Sequence, residues 1–269
     1  MASIAGCNIN TVVLFPDRHV ATSPRPLGLR WEDIQTPNAS GRRITGWLIL
    51  PAGDPKATIL ISHGNAGNIG VFLPWAKMLA DAGYAAALYD YQGYGASAGD
   101  ADVASLVGDG AAVVQWLREQ GRVNADRKLG LLGLSLGTMV SIRLARQMPD
   151  LVGAVALDGA LIPGDELKRK FGVLGAPVAW LLCQQIPDEL NTAGQAGHVR
   201  CPVLFVHSTT DEVTSIQGAR DLFAVANEPK RWVQIDGVAH LRMLFDWPDY
   251  VPTVVGWFDR HLLALPSPH

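Results

Sequence analysis

The stretch from Lys128 to Thr138 constrains this chain more than any other. An apolar run, Leu129-Gly130-Leu131-Leu132-Gly133-Leu134, stops at a serine flanked by glycines, and a helical pattern starts immediately after it. The reading is strand, sharp turn, helix. Gly133-Leu134-Ser135-Leu136-Gly137 fits G-x-S-x-G, in which small outer residues let a tight, strained turn lift the serine hydroxyl above a parallel sheet. Met139, Ile142, Ala145 and Met148 then recur at three-residue intervals, with Arg143 and Arg146 between them. In a chain with 28 glycines the bare pattern is weak. Its place between a buried strand and an amphipathic helix makes Ser135 a candidate nucleophile rather than a simple helix cap.

The surrounding pattern agrees. From residue 57 onward short apolar strands at 57–62, 84–90, 128–134, 152–157, 202–207 and 231–235 alternate with helices near 70–82, 103–120, 136–148, 215–227 and 249–264. Alternation of this kind implies parallel strands with right-handed crossovers. Ahead of them, β-rich runs at 11–16, 30–36 and 45–50, the last two joined by the polar Asn38-Ala39-Ser40-Gly41, predict antiparallel strands. The expected class is α/β: a mainly parallel sheet with antiparallel N-terminal strands, helices on both faces, and one domain over residues 1–269. The connection 160–200 is too long for a plain crossover and too short for a domain. Its apolar side chains predict a small helical cap, with Phe171, Leu174 and Trp180 as candidates for substrate contact; an ordinary crossover helix with a long lead-in is the alternative. The tail 266–269 is expected to fray.

Composition narrows the function classes. The chain is 48% apolar and 17% charged, with a net charge of −3 and no long run of one sign. Nothing here points to nucleic acid or to an anionic membrane surface as a partner. No apolar run has the length of a membrane span. Cys7, Cys183 and Cys201 are widely spaced and form neither a disulfide framework nor a zinc motif, so no metal and no cofactor are expected. Ile4-Ala5-Gly6-Cys7 resembles the end of a bacterial lipoprotein signal but lacks the charged and apolar regions that precede one. The expected compartment is the cytoplasm; a lipidated Cys7 on a longer native N-terminus is the alternative.

A serine nucleophile needs a base, and the base needs an acid to hold its tautomer. Among the seven histidines, His240 lies in a loop after the last strand and before the C-terminal helix, where a side chain can reach back over the sheet. His63 reads as structural. Asp211, just past the strand ending near His207, is the expected acid, with Asp158 as its competitor; Glu212 is expected to point away, and Asp236 reads as a turn residue. Two backbone N–H donors must also hold an oxyanion. Leu136, directly after the serine, is one; Asn65, in the turn Ser62-His63-Gly64-Asn65-Ala66-Gly67-Asn68, is chosen as the other. Asp90-Tyr91-Gln92-Gly93-Tyr94-Gly95 lacks a nucleotide-binding pattern and is expected to brace the floor of the site. Trp75, Trp116, Trp247 and Trp257 read as core.

With these residues in place the chain resembles the α/β-hydrolases, in particular the small serine esterases that carry HGNAGN. The matching pieces are His63-Gly64-Asn65-Ala66-Gly67-Asn68, Asp90 to Gly95, Gly133 to Gly137, Asp211-Glu212 and Gly237-Val238-Ala239-His240. The resemblance implies the α/β-hydrolase fold, the order Ser135, Asp211, His240 for a triad, and hydrolysis of carboxylic esters. A small-molecule ester of short to medium acyl chain is the expected substrate; a thioesterase or lipase-type deacylase, a peptidase or a non-catalytic binding protein are the alternatives. Two positions depart from the pattern. Thr138 replaces a smaller residue behind the nucleophile, and Leu241-Arg242-Met243 after the histidine predict a more apolar rim with Arg242 near it.

Overall fold

The computed structural model describes residues 8–263; Cys7 and the tail 266–269 lie outside them. The chain opens with α1 (Ile9–Val13), β1 (Phe15–Pro16), β2 (Arg30–Pro37) and β3 (Arg43–Leu50). It continues through β4 (Thr58–Ser62), β5 (Ala66–Gly67), α2 (Ile69–Asp81), β6 (Ala85–Asp90), α3 (Leu106–Glu119), β7 (Leu129–Leu134), α4 (Leu136–Gln147) and β8 (Val152–Asp158). The last third holds α5 (Pro163–Phe171), α6 (Ala176–Cys183), β9 (Val203–Ser208), α7 (Ile216–Val225), β10 (Lys230–Ile235), α8 (Met243–Asp246) and α9 (Tyr250–Leu262).

Eight strands form one sheet in the order β10-β9-β8-β7-β4-β6-β3-β2. β3 runs antiparallel to both β2 and β6, and the remaining pairs are parallel. The central strands are buried on both faces, so they read as continuous apolar runs. Their side chains still alternate. Leu60, Leu129, Leu131, Val155 and Leu157 join a core with α3 and α4 on one face. Ile59, Ile61, Leu132, Leu134, Ala154 and Ala156 join a second core with α2 and α9 on the other. Trp75 and Trp257 are buried in this second core, and Trp247 packs at its edge, while Trp116 packs at the edge of the first.

The run 11–16 departs from the expected strand. Asn8 accepts the Asn10 N–H on its side chain and starts a short helix, and only Phe15–Pro16 is extended, paired with β5. The β-branched residues here favour a strand only weakly, and burial of Ile9 and Leu14 together with the cap outweighs them. Segment 160–200 consists of α5, α6 and short 3-10 turns, anchored by buried Leu167, Ala179, Leu182 and Leu190.

Candidate active site

Parallel strands with right-handed crossovers place their C-terminal ends, and the loops that follow, along one edge of the sheet. Ser135 stands there between β7 and α4 with φ 53° and ψ −116°. A non-glycine residue rarely adopts this conformation, at a cost on the order of 1–3 kcal/mol. The surroundings impose it: the Ser135 N–H donates to the Asp158 carbonyl at 2.9 Å, and Thr138 Oγ1 donates to the Ser135 carbonyl at 2.6 Å. The threonine that replaces a smaller residue therefore braces the turn. Both flanking glycines are required by close approach. A Cβ on Gly137 would lie 1.8 Å from the Ser62 carbonyl oxygen, and one on Gly133 would lie 2.7 Å from Thr138 Cα.

Asp211 and His240 are brought together. His240 Nδ1 and Asp211 Oδ2 are 2.7 Å apart. The same oxygen accepts from Thr214 Oγ1 at 2.8 Å, while Oδ1 accepts the N–H groups of Val213 and Thr214 at 2.8 and 2.7 Å. Burial pushes the Asp211 carboxyl up, but the hydrogen bond and charge of His240 and the Thr214 donors outweigh it, and the group sits below its usual range. It is an anion at neutral pH, fixed by donors on both oxygens. His240 packs on Gly159, where a Cβ would lie 3.0 Å from its Cε1. Gly159 follows the residue whose carbonyl anchors Ser135. Among the hydrogen bonds of the described residues none joins His240 to Ser135, which is common before substrate binds.

Asp158, the competing acid, is engaged elsewhere. Tyr250 Oη donates to its Oδ2 at 2.8 Å and Trp75 Nε1 donates to Tyr250 Oη at 3.1 Å; burial pushes the carboxyl up to about 7. Glu212 departs from its expected direction: its Oε2 accepts the His240 N–H at 3.3 Å, and the residue lines the cavity. Two successive residues of one turn thus hold the side chain and the backbone of His240. Asp236 accepts from Thr209 Oγ1 at 2.7 Å in a turn, as expected.

The turn carrying Asn65 is held from several sides. Tyr94 Oη and the Phe15 N–H donate to the Asn65 carbonyl at 2.9 and 3.0 Å, and Asn65 Nδ2 donates to the Val13 carbonyl at 2.8 Å. Tyr91 Oη donates to the His63 carbonyl at 2.9 Å. Burial pushes His63 down to about 4, so the imidazole is neutral, with Nδ1 2.7 Å from the Gly64 carbonyl. Asp90 Oδ1 accepts the Ile69 N–H at 2.9 Å. The motif from Asp90 to Gly95 therefore braces the Asn65 turn. Leu136 opens α4, where the first N–H has no carbonyl to bond within the helix.

Ser135, Leu136 and Asn65 border one cavity of about 520 Å³. Its lining includes Ile9, Val12, Val13 and Phe15 from the N-terminal segment, Val103 and Met139, and Leu161, Leu167, Ile186 and Leu190 from segment 160–200. The candidates for substrate contact in the cap do not border it. Phe171 packs partly into the core, whereas Leu174 is 100% exposed and Trp180 66% exposed, because both lie on the solvent side of segment 160–200. Arg242 pairs with Asp246 at 3.0 Å and stacks on Phe245 instead of reaching the cavity. Among the described residues no group of His, Cys, Asp or Glu could hold a metal ion, and no helix is long and apolar enough to cross a membrane.

The family model Hydrolase_4, described as serine aminopeptidase, S33, matches residues 53–193, over half of the chain. The chain belongs to this family. Solved α/β-hydrolase structures lie close to the chain in fold. An esterase of Pyrococcus furiosus superposes with a TM-score of 0.76 at 18% identity, covering 93% of this chain and 98% of that one. The esterase domain of a Rhodothermus marinus protein superposes with a TM-score of 0.64 at 25% identity, covering 87% and 99%. In sequence the chain is 29% identical over 222 residues to an uncharacterized protein of Mycobacterium tuberculosis, covering 82% of this chain and 75% of that one. It is 28% identical over 220 residues to the Escherichia coli protein YfhR, covering 80% and 75%. The α/β-hydrolase fold expected from the sequence is the fold of the chain.

Proposed function

We propose that this hydrolase cleaves carboxylic esters of small molecules through an acyl-enzyme on Ser135. The observation that carries the reading is the buried, fully hydrogen-bonded Asp211 carboxylate on His240 Nδ1, in a loop packed against the anchor of a strained serine that borders an apolar cavity. Asp211 holds the imidazole with its proton on Nδ1, leaving Nε2 to take the proton of Ser135 as the hydroxyl attacks the ester carbonyl. The N–H groups of Leu136 and Asn65 receive the developing oxyanion, each worth on the order of 10²–10³ in rate. The imidazolium, stabilised by Asp211, then protonates the leaving alcohol. Water activated by the same imidazole releases the acid and restores Ser135. No metal or organic cofactor enters this scheme.

The cavity supports an acyl group of short to medium length. Its walls are largely apolar, and of the charged side chains that border it Glu166 pairs with Arg169 and accepts the Ser215 N–H, Lys170 donates to the Val12 carbonyl, and Glu212 accepts the His240 N–H. Hydrolysis of p-nitrophenyl esters from acetate to palmitate by wild type and Ser135→Ala tests the reading. Activity on the shorter esters, falling at least ~10³-fold in the variant, together with fluorophosphonate labelling of Ser135 alone, is the expected outcome. Equal turnover by both proteins would remove Ser135 from the chemistry.

A further inference from the structure

Residues 171–187, Phe-Gly-Val-Leu-Gly-Ala-Pro-Val-Ala-Trp-Leu-Leu-Cys-Gln-Gln-Ile-Pro, carry no charge. They form the turn after α5, the whole of α6 and the start of the next loop. Ala179 and Leu182 face the core. A surface helix normally carries polar residues on the opposite face, yet here that face carries Trp180, 66% exposed, and the turn ahead of it carries Val173 and Leu174, 91% and 100% exposed. Burying none of these side chains in the fold leaves a continuous apolar surface that a monomer in water has no reason to keep.

We propose that the α5–α6 hairpin is a membrane-docking surface that seats its apolar tip in the interface of a phospholipid bilayer. Three features favour lipid over a protein groove. Val173 and Leu174 stand at the tip of a helical hairpin, fully in solvent, a shape that a deformable leaflet accommodates without a matching cleft. Trp180 adds an indole, the side chain that prefers the level of lipid headgroups. In the last turn of α5, next to the tip, stand Lys168, Arg169 and Lys170, while their partners Asp165 and Glu166 lie in its first turn, so the positive ends of these pairs lie where anionic headgroups would be.

The segment also adjoins the cavity at both ends. Lys170, directly before the uncharged segment, and Ile186, near its end, both border the cavity. The Lys170 ammonium sits 5.4 Å above the ring of Phe15, itself a half-exposed cavity residue. A molecule leaving the leaflet beside the hairpin would meet the apolar walls that lead to Ser135. The docking itself does not depend on the ester reading, because vesicle binding is measured without turnover.

The experiment is flotation of the whole chain with vesicles of phosphatidylcholine and phosphatidylglycerol, comparing wild type with Leu174→Asp and with Leu174→Asp/Trp180→Asp. Both positions are exposed and outside the cavity, so folding and hydrolysis of a soluble short ester are expected to persist. Wild type should float, with partitioning falling on the order of tenfold in the single variant and further in the double variant. Tryptophan emission should shift to the blue on adding vesicles in wild type and shift less in Trp180→Phe. Failure of wild type to float, or equal flotation of the double variant, overturns the proposal. Light scattering that shows a dimer abolished by the same substitutions, without flotation, assigns the face to a second copy of the chain and overturns it equally.

Discussion

Asp158 shows how much one buried side chain carries here. Its carbonyl anchors the strained Ser135, its carboxyl takes the Tyr250 hydroxyl, and Gly159 after it supports the ring of His240. Burial pushes the carboxyl up to about 7, well above the roughly 3.9 of an unfolded chain. Between those values the folded protein keeps a proton that the unfolded chain has released. Stability contributed by this group therefore falls as pH rises from about 4 to about 7 and is level above that. Asp158→Asn removes the titration while keeping an acceptor for Tyr250. Urea unfolding across this window should find wild type losing on the order of a few kcal/mol relative to the variant. A difference that stays constant with pH would mean that Asp158 is ionised in the fold throughout.

At the scale of elements, α5 is bolted to the loop that carries the proposed acid. Glu166 accepts the Ser215 N–H at 2.7 Å and pairs with Arg169 at 2.8 Å. Arg169 in turn donates to the carbonyls of Glu212 and Val213. The guanidinium is partly exposed, so its ion pair contributes under about 1 kcal/mol to stability. Its geometric role is larger, since it fixes the turn from which Asp211 and Glu212 hold His240. Arg169→Ala should leave the melting temperature nearly unchanged and lower kcat for a short ester roughly tenfold. Arg169→Lys should restore little, because an ammonium cannot fork between a carboxylate and two carbonyls. Full activity in Arg169→Ala would show that the loop holds itself. None of this clamp was legible in the sequence, because Glu166 and Arg169 look like an ordinary helix ion pair at i, i+3. The strand-end positions of Ser135, Asp211 and His240 were legible because each follows a strand whose apolar run announces where the sheet ends. Phe171, Leu174 and Trp180 were misread for the opposite reason. A segment apolar on every face has no period, and nothing in it tells the cavity side from the solvent side. Helix α1 escaped because Thr11, Val12 and Val13 suggest a strand, while the contacts that add to the Asn8 cap in holding them helical come from residues far along the chain.

Across the whole molecule, those distant contacts close the cavity. Asn10 accepts the Val103 N–H at 2.9 Å, Lys170 donates to the Val12 carbonyl at 2.9 Å, and Asn65 donates to the Val13 carbonyl. One short helix thus joins the loop before α3, the cap and the proposed oxyanion turn. Part of the cavity wall is consequently built from the N-terminal segment, and the length of acyl chain admitted should depend on it. Val12 is half-buried on that wall and borders the cavity. Val12→Trp would fill space there without touching Ser135, Asp211 or His240. A methylene in an apolar pocket is worth about 1–3 kcal/mol in discrimination, so excluding the far end of a chain should weigh heavily on long esters and lightly on acetate. The ratio of kcat/KM for p-nitrophenyl decanoate over acetate is expected to fall at least about tenfold in Val12→Trp, with acetate hydrolysis within roughly a factor of three of wild type. A parallel loss on both esters would place the acyl chain elsewhere, and the N-terminal helix would then be a brace for the Asn65 turn rather than a measure of substrate length.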